Sequence, residues 1–391
     1  MGTIEIKEKP VELKNLTPVQ GDYKATVGNV GICEVKGYRF QQEDAIAVGI
    51  PSETSAAFMA LSPKDRSFVA EITFETLQSQ LENNLEAKCC GSCACIASGH
   101  VKNGKANVST SYVGDSVAFL VVLTAEGKLK SVTACNPKLH DGHNEAECKA
   151  ITQGIGRNQG VIVSDRLCAD HLGSTLAVTR AFGDNGFFEC GLLHTPETTE
   201  VSVNVASTDC AFMVVTCDGA MEYCKGRDSV TKYAEELGAL FASHHQLSPE
   251  SLAEKIVDHA LEKGSTDNIT AIVVPLEVGN PAVTVGVFDG HGGPFVSKQV
   301  SANFNNVFQH TIDNINDFKK KLNSKLSKLK SLWKNISGGN VQLKDQPTSK
   351  TFQYHKMGFG TYTVTIIKSF FYFLKPHKLL FSTSFFLIFV Y

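Results

Sequence analysis

The sequence predicts an α+β fold, because short apolar strands, Gly-rich turns and a few helices follow one another without interruption over residues 22–276. Several of the strand-like runs, Val117–Leu123 among them, are apolar along their whole length, as strands covered on both faces are. Two later segments instead repeat apolar residues at i, i+3 and i+4, the signature of helices with one buried face. A chain of 391 residues is ample for one large core with flanking segments.

In order, the strands expected are Ala45–Ile50, Ala57–Leu61, Ser109–Val113, Val117–Leu123, Ala211–Thr216 and Ile269–Val274. The helices expected are Phe68–Leu85, Glu145–Ile155, Ser229–His244 and Pro249–Lys263. A Pro/Gly/Asn loop at 275–281 then leads into the strand Ala282–Phe288. Residues 1–21 read as an N-terminal extension, 22–276 as the main domain, 277–316 as a short appended unit and 317–391 as a tail. In the tail, Phe318, Leu322, Leu326, Leu329, Trp333 and Ile336 fall on one helical face crowded by lysines. That helix either docks on its own domain or meets a membrane surface or acidic partner. The Phe-rich end is interrupted by Lys375, His377 and Lys378, and its last apolar run, Leu379–Tyr391, has only 13 residues. A spanning helix needs about 20.

A net charge of −3 and a pI near 6.5 give no overall pull toward nucleic acid. Met1–Leu16 has no apolar centre, so no secretory leader is expected, and Ile6 stands where a myristoylation signal wants Ser or Thr. The 12 cysteines therefore read as free thiols in a reducing, cytoplasmic or nuclear compartment. The run Cys89-Cys90-Gly-Ser-Cys93-Ala-Cys95 lacks a second Cys or His pair at zinc-finger spacing and leads into an apolar stretch. A buried strand is expected there.

The chemistry lies in acids at strand ends: Glu43-Asp44, Gly114-Asp115, Gly183-Asp184, Asp218-Gly219 and Asp267-Asn268. Carboxylates converging on one rim demand cations, and oxygen-only ligands suit Mg²⁺ or Mn²⁺. No Ser nucleophile elbow, Walker loop or Cys-x5-Arg cradle occurs, which points to metal-activated water as nucleophile. The apolar run Val285-Gly-Val-Phe288 ends in Asp289-Gly290-His291-Gly-Gly, delivering a carboxylate, bare backbone and an imidazole to one rim.

These motifs resemble the metal-dependent Ser/Thr protein phosphatases of type 2C. Gly37-Tyr-Arg39-Phe-Gln-Gln-Glu43-Asp44 resembles the family's G-x-R-xx-M-E-D, and Val113-Gly114-Asp115-Ser116 its V-G-D-S-R. Leu176-Ala-Val-Thr-Arg180-Ala-Phe-Gly183-Asp184, Val215-Thr-Cys-Asp218-Gly219 and Gly264-Ser-Thr-Asp267-Asn-Ile-Thr270 follow in family order. The resemblance implies a four-layer α/β/β/α sandwich, two antiparallel sheets flanked by helices, with a binuclear metal centre at one end. It also implies phosphoprotein substrates and a set of roles. Asp289, Gly290, Asp218, Asp267, Glu43, Asp44 and Asp115 would serve two Mn²⁺ or Mg²⁺ ions, with Arg39 on phosphate and His291 as general acid. Glu222, where the family has Asp, is available for a third, weaker site.

One departure is large. The family places its Asp-Gly-His-Gly-Gly soon after Glu-Asp, where this chain has Phe58-Met-Ala-Leu61-Ser62-Pro63-Lys64. Ser62 stands in the slot of the bridging Asp and Lys64 in that of the His, so the intact motif at 289–293 reads as a second, partial copy. If Ile269–Val274 and Ala282–Phe288 form a hairpin, Asp267 and Asp289 meet at one rim and complete the site. If Phe58–Leu61 already fills that place, the protein is an inactive binding module. In a third arrangement the segment acts in another protomer. Asp141-Gly142-His143 repeats the tripeptide in a polar loop and is given no catalytic weight.

Overall fold

The computed structural model describes residues 17–19, 22–224, 226, 228–320, 324, 350–355, 361–367 and 370–373. A first compact unit runs to Ile312 and a second begins at Asp313. In the first, the strands are β1 (Thr17–Val19), β2 (Asp22–Val27), β3 (Val30–Val35), β4 (Ala45–Ala47), β5 (Gly91–Ser92), β6 (Ala94–Lys102), β7 (Lys105–Val113), β8 (Val117–Leu123), β9 (Leu129–Ala134), β10 (Val161–Val163), β11 (Arg166–Ala169), β12 (Ser174–Leu176), β13 (Phe182–Gly183), β14 (Glu197–Asn204), β15 (Cys210–Thr216), β16 (Ile269–Leu276), β17 (Val283–Phe288) and β18 (Gly290–His291). The helices are α1 (Ser52–Ala60), α2 (Pro63–Ser79), α3 (Glu145–Thr152), α4 (Ser229–Ser243), α5 (Pro249–Glu262) and α6 (Phe295–Asp313).

Two antiparallel sheets stack face to face, one ordered β1-β2-β3-β16-β15-β8-β9 and the other β14-β7-β6-β17-β4. Alternation explains why central strands such as β8 read as unbroken apolar runs. In β8, Val117, Phe119 and Val121 face a core shared with Tyr233, Leu237 and Ile256 of α4 and α5. Ala118, Leu120 and Val122 face a second core, between the sheets, shared with Val285 and Val287 of β17. Beyond the second sheet, Phe288 of β17 meets Phe304 of α6 at 5.9 Å, and Phe308 meets Phe58 of α1 at 5.1 Å. The result is the expected helix–sheet–sheet–helix sandwich.

The expected helices are present, with ends shifted by a few residues; α2 starts earlier than expected, at Pro63, because the Ser62 hydroxyl accepts the Asp65 N–H and Pro63 fits the first turn. Cys93 and Cys95 are buried around the start of β6, as expected, and all 12 cysteines are free.

Two expectations fail. Residues 57–61 are not a strand: Phe58, Met59 and Ala60 close α1. The run Ser-Ala-Ala-Phe-Met-Ala is rich in good helix formers and contains no β-branched residue, so its apolar character is that of a helix. The hairpin is also absent. β16 is already flanked by β3 and β15, leaving no free edge, and β17 crosses to the other sheet to pair with β4 and β6. Val285, Val287 and Phe288 are fully buried there, which stabilises the placement by roughly 1.5–3 kcal/mol per side chain.

The second unit contains the antiparallel strands β19 (Lys350–His355), β20 (Thr361–Ile367) and β21 (Phe370–Phe373). The N-terminal residues 1–16, most of the Lys-rich stretch after 320 and the last residues, 374–391, lie outside the described residues. Among those described, no helix is long and apolar enough to cross a membrane.

Candidate metal centre

Strand register builds the site. Phe288 of β17 pairs with Ala45 of β4, so the next step along each antiparallel strand brings Asp289 beside Asp44. The Asp289 carbonyl accepts the Cys93 N–H at 2.8 Å, fixing the exit from β17. From the other sheet, Asp218 arrives on a single 3₁₀ turn after β15, while Asp115 sits where the chain crosses from β7 of this sheet to β8 of the other. Carboxylate oxygens of Asp115, Asp218 and Asp289 lie within 4.8 Å of one another. The same holds for ligand atoms of Asp44, Asp289 and Cys217.

Two unit negative charges at that distance repel by roughly 3–4 kcal/mol at an effective dielectric of about 20. Burial and mutual repulsion accordingly push Asp44 to about 7, with Thr270 opposing through a 2.6 Å hydrogen bond. Burial and Asp218 push Asp115 to about 7, and Asp267 to about 6. Asp289 is raised well above the usual carboxylate range by burial, then Asp218, Asp44 and Asp115. One oxygen of Asp44 is buried without a hydrogen-bond partner. An all-carboxylate cluster with an orphaned oxygen fits hard divalent cations. Burial holds the Cys217 thiol protonated, so the oxygens are the effective donors.

The rest of the predicted set surrounds this cluster. Asp267 does not meet Asp289 across a hairpin; it comes from the opposite sheet, is felt by Asp44 and pairs with Arg39 Nη2 at 2.5 Å. The Glu43 side chain accepts from Gln41 Nε2 at 2.8 Å. Gly290 must be bare, since a Cβ there would lie 2.2 Å from the Glu43 carbonyl. Glu222 is taken up by the 265–266 turn, accepting the Thr266 N–H at 2.7 Å and the Ser265 hydroxyl at 3.1 Å. Ser62 and Lys64 belong to the start of α2, with Ser62 capping it, so neither takes the place of Asp289 or His291.

Several participants received no role from the sequence. β18 pairs with β5, and β13 pairs with β5 on its other side, which brings His291 onto Asp184 at 2.5 Å between Nε2 and Oδ2. Burial alone would lower the His291 pKa, but the Asp184 charge and hydrogen bond raise it. The strand between them is bare for a reason: a Cβ on Gly91 would sit 1.9 Å from Asp184 Oδ2. Asn268 accepts the Glu43 N–H at 2.9 Å and donates to the carbonyls of Lys36 and Gln41, clamping the loop that carries Arg39. The discounted Asp141 lies close enough to Asp115 to raise its pKa. The Gly-Asp and Asp-Asn pairs were the visible signals for Asp184 and Asn268.

A double-sheet sandwich with a cluster of buried acids at one end sets the class of protein. A family model described as Protein phosphatase 2C matches residues 29–269, and the chain belongs to that family. It is 29% identical over 206 residues to Protein phosphatase 2C homolog 1 of Schizosaccharomyces pombe, covering 52% of this chain and 51% of that protein. It is 30% identical over 165 residues to Protein phosphatase 2C homolog 1 of Saccharomyces cerevisiae, covering 42% and 48%. The chain thus spans about half the length of these relatives. A crystal structure of a phosphatase from Toxoplasma gondii aligns with a TM-score of 0.44 at 20% identity, covering 65% of this chain and 96% of that one. The family match ends at 269, before Asp289.

Proposed function

We propose that the chain is an active metal-dependent protein phosphatase hydrolysing phosphoserine and phosphothreonine, with its site completed by its own C-terminal strand. The observation that carries this is the pairing of Phe288 with Ala45, which delivers Asp289 to Asp44, Asp115 and Asp218. The reading of an inactive binding module rested on a strand at 58–61 filling that slot, and this segment is helical.

Asp289, the Gly290 carbonyl, Asp218, Asp267, Glu43 and Asp44, with Asp115 beside them, would hold two Mn²⁺ or Mg²⁺ ions, which would supply charge neutralisation and acidify a water. The buried acids would release their protons to become ligands, and their ionised forms would be tolerable only with that charge neutralised. Arg39 is more than half exposed and pairs with Asp267, so it exchanges that carboxylate for two phosphate oxygens. His291, whose pKa is raised by the Asp184 charge and hydrogen bond, donates to the departing Ser or Thr oxygen. Asp184 acts through His291 as a positioning residue.

The test is Mn²⁺-dependent release of phosphate from a phosphothreonine peptide by the full chain and by Asp289→Asn. Activity lost only in the variant supports the reading. A folded but inactive full chain in saturating Mn²⁺ rejects it.

A further inference from the structure

Two large aromatics flank the phosphate-binding arginine and touch almost nothing: Tyr38 is 78% exposed and Phe40 105% exposed. We propose that Tyr38 and Phe40 form an apolar platform that selects phosphopeptides carrying a large apolar residue next to the phosphorylated Ser or Thr. This rests on the phosphatase reading above.

The loop that presents them is fixed rather than loose. Asn268 Nδ2 donates to the Lys36 carbonyl at 2.7 Å and to the Gln41 carbonyl at 3.0 Å, gripping the loop on both sides of the aromatics. Gly37 has φ +60°, and a Cβ there would lie 2.0 Å from the Asp267 carbonyl, so this backbone is pressed onto the metal-centre turn. Between those anchors, Arg39 reaches inward to Asp267 while both neighbours stay in water. No packing need in the fold explains them.

Exposed aromatics on a preorganised loop are the groups that gain most when a partner covers them. The occupant follows from what lies on the loop. An arginine whose two chain neighbours are exposed aromatics complements an anion whose own chain neighbours are apolar, and a phosphorylated residue in an apolar sequence has that pattern. An acidic or Gly-rich flank would leave both rings wet and gain nothing from them.

The experiment uses the full chain with Mn²⁺ and two phosphothreonine peptides that differ only in having Leu or Gly on either side of the phosphorylated residue. Free phosphothreonine serves as the small substrate. The expected kcat/KM is about tenfold higher for the Leu-flanked peptide, the size of one well-placed contact. A double variant, Tyr38→Ser with Phe40→Ser, is expected to equalise the two peptides and leave free phosphothreonine unchanged. Equal wild-type rates overturn the platform, as does a double variant equally impaired on free phosphothreonine. Binding of the matching phosphonate peptides, read by fluorescence anisotropy, separates the two layers. A Leu preference in binding without any turnover keeps the platform and rejects the phosphatase reading; turnover without a preference does the reverse.

Discussion

Residues 58–69 and 285–296 look like two versions of one unit, each an apolar run followed by a short polar turn and a Phe-Val that opens a helix. The structure gives them different fates. The helical halves do correspond, since α2 and α6 both pack on the outer face of the second sheet side of the sandwich. The apolar halves do not: the first closes α1, whereas the second is the strand β17 between β4 and β6. Val283, Val285 and Val287 are β-branched and Ala56, Ala57 and Ala60 are not, and local preference separates the two before any tertiary contact is counted. Similar hydrophobicity is therefore a poor guide to equivalent position. What places an acid in the acidic cluster is the strand that carries it.

This comparison breaks most easily at the two polar turns. Asp289→Asn is expected to lower Mn²⁺-dependent phosphatase activity by about a thousandfold, the scale of removing a main electrostatic element from an active site. Equal losses from Asp289→Asn and from Ser62→Ala would show that both turns serve the centre, contrary to the structure.

His291 comes next. His291→Gln is expected to reduce kcat by about 10²–10⁴-fold, whereas Lys64→Gln changes it little. Asp184→Asn sharpens the point through its pH profile. Asp184 raises the His291 pKa, so its loss moves the alkaline fall in kcat to lower pH. A profile that only scales down, without moving, would reduce Asp184 to a structural role.

The cluster also sets a pH dependence of stability opposite in sign to that of a conventional ion pair. Asp44 and Asp115 are raised to about 7 and Asp267 to about 6. The folded apo state therefore binds more protons than the unfolded state between about pH 4 and 7, and stability falls as pH rises through that window. Glu147 is the internal contrast. Burial would raise its pKa, but Arg180 and Arg157 hold it at about 2. Its contribution is fully present above its unfolded value and is lost only as pH drops toward 2. In chelator, Tm is expected to rise from pH 7.5 to 5.5, and with Mn²⁺ to fall over the same range. A chelator curve that falls with acidification would show that the acids are not proton-loaded.

The smallest effect belongs to the first turn. Ser62→Ala removes the cap of α2 and is expected to cost about 1 kcal/mol of stability, visible in denaturant melts, with turnover unchanged. A loss of Mn²⁺ affinity in this variant would move Ser62 back toward the centre.

Much of this was legible in the chain. The ordered acids at Asp44, Asp115, Asp218 and Asp267, each beside a turn residue, identify the family and its acidic rim, because strand ends put their flanking residues at the edges of a sheet. Unbroken apolar runs such as Val117–Leu123 reveal a strand covered on both faces, since alternate residues must each find a core. The sequence also determined that Asp289-Gly290-His291 is the intact motif. Only the tertiary structure decided where it goes. A strand pairs through backbone groups that are the same for every residue, so the chain does not announce its neighbours; β16 had no free edge, while the gap between β4 and β6 did. The register there, Phe288 against Ala45, set Asp289 beside Asp44. The meeting of His291 with Asp184 and the clamp from Asn268 likewise depend on residues far apart in the chain, and became visible only when the sheets brought them together.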